Sequence, residues 1–500
     1  MIARVVIAGT SSGAGKTTVA CGLIGALRAR GARVQGFKVG PDYIDASHHA
    51  LASGRPGRNL DAFLSGPELI APLARHGCEG ADVAIVEGVM GMFDGASGRG
   101  ELASSAHVAK LLRAPVVLVI DAAAMARSAA AIVHGFRSFD PDVQLAGVIF
   151  NRVGSEHHEQ LLREAVAALA EPGVPVLGAL RRDERVATPE RHLGLVPAGE
   201  RVGAARAALD SLADAAASYI DLDALVRLAR GAPQLPGEAW SPEPRAPAAE
   251  RGASVRGAER HDGPGEPGHA RAMASDGERG APVRVALAAG PAFSFHYEEN
   301  LELLRAAGAQ LAPFDPLSDE ALPADADALV LAGGFPEVYG AELEANAPLR
   351  AQVASFAASG RPVLAECGGL LYLARELDGR EMCGVLDVRA RMGERVTLGY
   401  RDATAATDTP WLRAGERVRG HEFHYTQATL ADGARRRPAW VLSARGRERE
   451  EGFVQGAVQA SYLHVHWAAY PDIARRFVRA AALVRDGAGE PVRASAGVAG

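Results

Sequence analysis

Residues 9–18 read Gly-Thr-Ser-Ser-Gly-Ala-Gly-Lys-Thr-Thr, set between the apolar run Val5-Val6-Ile7-Ala8 and the helix-like residues 19–30. A strand that passes through a glycine-rich turn into a helix start wraps backbone N–H groups around a polyphosphate. Such a loop commits the chain to a doubly wound α/β layer, because ligands of these sheets bind at the carboxyl ends of the strands. Gly13, Gly15, Lys16, Thr17 and Thr18 form the expected nucleotide-binding set, with Lys16 meeting the terminal phosphates of ATP and the Thr17 hydroxyl sitting on Mg²⁺. The loop departs from the strict pattern only at its first position, where Thr10 replaces glycine and Gly9 flanks it.

The chain has 500 residues, too many for one core, which suggests about two to four domains. A net charge of −6 leaves no basic footprint for nucleic acid. Four cysteines, at 21, 78, 367 and 383, have neither zinc spacing nor the density of a disulfide scaffold, which points to a reducing compartment. No segment has the apolar length to cross a bilayer, and the first apolar run leads straight into the phosphate loop, so it reads as a strand rather than a signal peptide. A cytoplasmic enzyme without nucleic-acid or membrane partners is expected.

Over 1–231, residues 83–86, 116–120, 145–150 and 174–177 are apolar on both faces, as buried parallel strands are, and residues 157–170 carry helical periodicity. Residues 232–281 hold Gly, Pro, Ala, Arg, Glu and His with almost nothing to bury, and are expected to be a disordered linker. A second α/β unit spans 282–475, with strands at 283–288, 329–331 and 362–365, helices at 298–307 and 349–358, and antiparallel β structure over 382–423. Residues 476–500 are expected to end a helix and fray.

Three further segments carry chemistry. Residues 83–87 end in Glu87, the place from which a carboxylate reaches Mg²⁺ in phosphate-loop proteins, and Asp94 follows in the next loop. Residues 36–45 form a turn around Gly40-Pro41 that presents Lys38, Asp42, Tyr43 and Asp45 together. In the second unit, Cys367 stands between a strand and a helix and is followed by Gly368-Gly369, the logic of a nucleophile elbow, and the helix start is expected to lower its thiol pKa. A buried structural cysteine is the alternative. Gly333 and Gly334 offer backbone N–H groups to an oxyanion, and His464 and His466 supply imidazoles later in the chain.

Residues 9–18, 37–45 and 86–95 together resemble the cobyrinic acid a,c-diamide synthase family, within the dethiobiotin-synthetase-like group of amide-forming ATPases. The resemblance implies that Lys16 and Thr17 hold ATP and Mg²⁺, that Glu87 serves the metal, and that Asp42, Tyr43, Ile44 and Asp94 line the corrinoid and phosphorylation site. Residues 189–195 look like the family too, as a nucleotide-side wall. Partition ATPases with a related loop carry an extra Lys where this chain has Ser11, which disfavours a dimerising switch. The second unit resembles a class I glutamine amidotransferase domain, which implies that Cys367 attacks L-glutamine and His464 is its general base. The acid usual two residues after that His is His466 here, leaving open what orients His464; Glu366 is a candidate. The segments 292–300 and 420–425 also match, with aromatics suited to a flat macrocycle.

The expected architecture is therefore two doubly wound α/β domains: a P-loop NTPase-like domain and a class I glutamine amidotransferase domain joined by the linker. The expected activity is ATP- and glutamine-dependent amidation of a corrinoid through an acyl phosphate. Amidation of a nickel sirohydrochlorin or of other corrinoid carboxylates is the nearest rival, a regulatory P-loop ATPase with an inactive amidotransferase domain the more distant one. No protein-bound zinc or cobalt is expected, and a homodimer stays open.

Overall fold

A computed structural model describes residues 2–169, 173–182, 190–191, 194–195, 202–243, 281–431, 433 and 437–487. The first domain is built on β1 (Ala3–Gly9), β2 (Val34–Val39), β3 (Arg58–Leu60), β4 (Val83–Glu87), β5 (Val116–Asp121), β6 (Leu145–Val153) and β7 (Val176–Arg181). They form one parallel sheet in the order β3-β2-β4-β1-β5-β6-β7. Alternate residues of β1 serve opposite faces: Val6 and Ala8 enter one core, Val5 and Ile7 the other. That two-sided burial explains why these strands read as unbroken apolar runs.

The strand expected at 174–177 begins at Val176 instead. Pro175 has no N–H for the ladder; its carbonyl accepts Val148 N at 2.9 Å, and regular pairing starts after it. Lys38, read as part of a turn, lies on the fully buried β2.

The second domain carries a sheet in the order Ala309–Phe314, Val283–Ala288, Ala328–Leu331, Val363–Glu366, Val458–Ser461, Phe453–Gln455, parallel except for its last strand. The antiparallel structure expected over 382–423 includes Thr397–Ala405 paired with Arg417–His424, in a second sheet that His464–Val465 also joins. The last helix runs Asp472–Arg485, so its end falls within 476–500, and it buries Ile473, Phe477, Val478 and Ala481; residues 488–500 lie outside the described residues.

At the expected linker, residues 232–243 pack on the first domain. Ala232, Leu235 and Trp240 are buried, Arg4 Nη2 donates to Pro233 O at 2.5 Å, and Trp240 N donates to Pro72 O at 3.0 Å. The linker expectation for 244–280 falls outside the described residues.

The two domains share a continuous apolar core. At its edge the Phe63 ring stacks on Tyr400 at 4.4 Å, with the Arg99 and Arg419 guanidinium groups at 5.0 and 5.3 Å. The Tyr400 hydroxyl donates to the buried Asp61 Oδ2 at 2.8 Å. Phe63→Ala is expected to cost about 3 kcal/mol of stability, by loss of burial and the cavity left behind. Tyr400→Phe, which leaves Asp61 short of a donor, should cost about 1–3 kcal/mol. Denaturant midpoints of the full-length variants check both.

Candidate active sites

The phosphate loop leaves β1 and enters the helix Lys16–Ala29 through Gly15, whose φ of 97° is left-handed. A Cβ there would stand 2.0 Å from Asn151 Nδ2, so only glycine admits the amide that donates to Ala14 O at 3.1 Å. Lys16 Nζ donates to Ser11 O at 3.0 Å and Met90 O at 2.6 Å, which curls the side chain over the loop. Burial, with the Lys38 charge nearby, lowers the Lys16 ammonium to about 8.

Glu87, fully buried at the end of β4, gathers three donors. Thr17 Oγ1 donates to its Oε1 at 2.6 Å, Lys38 Nζ to the same oxygen at 2.7 Å, and His49 Nε2 lies 2.7 Å from Oε2. Burial opposes its charge, but Lys38 and His49 prevail and hold it well below the usual carboxylate range. Lys38 also reaches Asp45 Oδ2 at 2.6 Å; burial disfavours its charge, and Asp45 and Glu87 more than offset that. Asp45 itself is pushed up by burial and by the Asp42 and Glu87 carboxylates.

The Thr17 hydroxyl and Glu87 carboxylate are adjacent oxygen donors of the kind Mg²⁺ takes, and they fit it. Among the described residues no group of three or more His, Cys, Asp or Glu forms a metal cage, so substrate phosphates would complete the shell. Thr18 follows Thr17 in the first turn of the helix, half-buried. Asp94 is exposed in the next loop, where Oδ2 accepts Gly91 N at 2.9 Å, and its charge acts on Lys16.

Asp42 caps the helix Tyr43–Ser53, accepting Asp45 N at 3.0 Å. Tyr43 points into the second domain. Its ring stacks on Phe295 at 5.1 Å and lies 4.6 Å from Tyr297, 5.3 Å from His464 and 5.9 Å from His421. Ile44 is buried in the same apolar cluster that holds Tyr43, Phe295 and Tyr297.

Cys367 ends the strand Val363–Glu366 with φ 47° and ψ −98°, a strained conformation for any residue but glycine. Its N–H donates to Ser461 O at 2.7 Å. The expected lowering of its thiol pKa is not what the structure shows. The Gly368 N–H acts in that direction, but burial, with Glu337 next, pushes the thiol well above its ordinary value. Gly333 and Gly334 lie against the elbow: a Cβ on Gly368 would come 3.0 Å from Gly334 N, and one on Gly333 2.4 Å from His464 Cε1. Elbow, double glycine and imidazole are therefore contiguous. His464 Nδ1 is 3.8 Å from Glu366 Oε2, and its ring stacks on His421 at 4.9 Å. Burial and the neighbouring His464 hold His421 well below its ordinary value, hence neutral.

Three residues escape sequence reasoning. His49 follows Asp45 by four on one helix, so their shared face was a usable signal. Asn151 and Glu299 act through long-range contacts; Glu299 lies within the matching segment 292–300, but its partners His466 and Arg58 are far away in sequence, where no local pattern names them. The wall expected at 189–195 lies outside the described residues, apart from the paired backbone of Glu190–Arg191 and Gly194–Leu195.

Residues 5–196 match a CobQ/CobB/MinD/ParA nucleotide binding domain, and residues 284–471 a CobB/CobQ-like glutamine amidotransferase domain. The chain is 57% identical over 485 residues to a hydrogenobyrinate a,c-diamide synthase of Streptomyces coelicolor, covering 95% of this chain and 97% of that one. It is 48% identical over 491 residues to the enzyme of that name from Thermobifida fusca, covering 97% and 98%. A cobyrinate a,c-diamide synthase of Syntrophotalea carbinolica is 43% identical over 484 residues, covering 95% and 98%. The resemblance drawn from residues 9–18, 37–45, 86–95 and the Cys367 elbow thus holds over the whole chain, which belongs to the hydrogenobyrinate/cobyrinate a,c-diamide synthase family.

Proposed function

We propose that this chain is an ATP- and glutamine-dependent ligase that amidates the a and c side-chain carboxylates of a corrinoid in cobalamin biosynthesis. The metal-free hydrogenobyrinic acid is the preferred substrate, since it is the ring named in the more similar relatives. One observation carries the reading: Tyr43, next to the Asp42 turn of the phosphate-binding domain, lies within ring contact of His464 across the domain boundary. This buried aromatic contact joins the turn beside the phosphates to the amidotransferase elbow, so the two half-reactions are neighbours across the boundary.

In the first domain a substrate carboxylate oxygen attacks the γ-phosphorus of ATP, and ADP leaves. Lys16 meets the charge that develops on the phosphate oxygens, while the N–H groups of residues 13–18 hold the remaining phosphates. Thr17 and Glu87 would hold Mg²⁺, which supplies further charge neutralisation when bound. Asp42 and Asp94 border the space where the acyl phosphate forms.

In the second domain His464 takes the Cys367 proton as sulfur attacks the glutamine amide carbon. Backbone N–H groups at Gly333 and Gly334 receive the oxyanion. The intermediate collapses to a thioester as ammonia leaves with the proton from His464, and water then releases glutamate. Ammonia attacks the acyl phosphate, and phosphate departs. Glu366, whose Oε2 lies 3.8 Å from the unpartnered His464 Nδ1, is the acid placed to orient the imidazole by closing that gap. Because burial favours the neutral thiol, proton transfer to His464 has to accompany attack.

Cys367→Ser should lose glutamine-supported amidation by about a thousandfold or more while keeping ammonium-supported amidation. Loss of both would break the division of labour. Lys16→Ala should abolish amidation with either nitrogen source, and product masses will count the amides added to hydrogenobyrinic and cobyrinic acid.

Lys16 also sets a pH dependence. Its ammonium, lowered to about 8, loses its charge as pH rises through that value, so ATP affinity of the free protein should fall about tenfold between pH 7 and 9. Lys16→Arg keeps its charge throughout and should flatten the curve. Calorimetric titration at several pH values reads both.

A further inference from the structure

The helix Glu298–Ala306 meets the segment that carries His464 with its first turn. Asn300 brackets that segment, with Nδ2 donating to Val465 O at 2.9 Å and Oδ1 accepting Trp467 N at 2.8 Å. Between these contacts, buried His466 places Nε2 3.4 Å from Glu299 Oε2. His466 Nδ1 accepts Ala468 N at 3.4 Å, which turns Nε2 toward the carboxylate at ion-pair rather than hydrogen-bond distance.

The other oxygen of Glu299 belongs to the first domain, where Arg58 Nη1 donates to it at 2.7 Å. The same guanidinium grips Glu302, which also meets His76 Nε2 at 2.8 Å. Burial disfavours a charged Glu299, but His466 and Arg58 hold its carboxyl at about 2. Arg58 directly precedes Asn59 on β3, and the Asn59 amide donates to Gly40 O at 2.8 Å and Asp42 O at 2.9 Å. An unbroken set of contacts therefore runs from the turn beside the phosphates to the strand of the general base.

We propose that Arg58, Glu299 and His466 are positioning residues that tie the placement of His464 to the state of the phosphate-binding domain, so that glutamine hydrolysis depends on the substrates of that domain. The inference rests on reading Cys367 and His464 as a glutaminase. A buried charge that loses its partner is costly, so a movement of the Asp42 turn is passed on rather than absorbed. His466 lies two residues from His464, so a shift of its ring moves the backbone that carries the base.

The test measures glutamine hydrolysis by the full chain, with and without ATP, Mg²⁺ and hydrogenobyrinic acid, beside ammonium-supported amidation. Wild type should show stimulation on the order of tenfold. Arg58→Gln and Glu299→Gln should reduce that stimulation to within about twofold of the basal rate and leave ammonium-supported amidation intact. Arg58→Lys keeps the charge but loses the forked grip, and should retain part of the stimulation; it also decides the matter if Glu299→Gln does not fold. Stimulation that survives in the variants, a wild type without stimulation, or a parallel loss of ammonium-supported amidation each overturns the inference. A wild type that hydrolyses no glutamine under any condition overturns the underlying glutaminase reading instead.

Discussion

The carboxylate of Glu87 is the point around which the first domain is arranged. It is fully buried, and three donors from three elements converge on it: Thr17 from the helix after the loop, Lys38 from β2 and His49 from the helix Tyr43–Ser53. A carboxylate without such partners could not stay ionised at that depth. With them, it fixes the loop, the central strands and the Asp42 turn in one arrangement. Removing Lys38 would leave a buried charge without its main counter-ion, which costs more than the lost contact itself. The same constraint aims Tyr43 outward, because His49 and Asp45 hold the helix that Tyr43 begins.

The second domain meets that aim with a buried cluster of aromatic and imidazole rings. Phe295, Tyr297, His421 and His464 all lie within ring contact of Tyr43. Close packing here has a chemical consequence, since the burial that orders the elbow also pushes the Cys367 thiol up. The backbone strain at Cys367 points the same way, because a strained turn persists only where the surrounding structure over-determines it. Ser461 O on one side and the Gly333-Gly334 backbone on the other supply that restraint.

Much of this was legible along the chain wherever the physics is local. The glycines of the loop, the apolar runs of β1, β4 and β5, and the strand-turn-helix around Cys367 each follow from near neighbours in sequence. What escaped depends on partners far away. Lys38 sits in a strand because β4 and β3 flank it, and Trp240 is ordered because His76 and Pro72 receive it. Composition over 232–243 reports a poverty of apolar residues, but two well-placed ones, Leu235 and Trp240, suffice to dock the segment. The thiol pKa was misjudged for a related reason: a helix start is visible in sequence, whereas the depth of burial that outweighs it is not.

Position 466 shows how two absences in the sequence become one arrangement in space. Where an acid would orient His464, this chain has a histidine, and that histidine is occupied with Glu299. Glu299 in turn accepts Arg58 Nη1 on its other oxygen. The carboxylate nearest His464 Nδ1 is Glu366, 3.8 Å away at the end of the nucleophile's own strand. Glu366 directly precedes the nucleophile, so the acid nearest the imidazole and the thiol share one strand end. Position 466 is held by a histidine that lies 3.4 Å from Glu299, and it is Glu299 that meets Arg58 of the first domain.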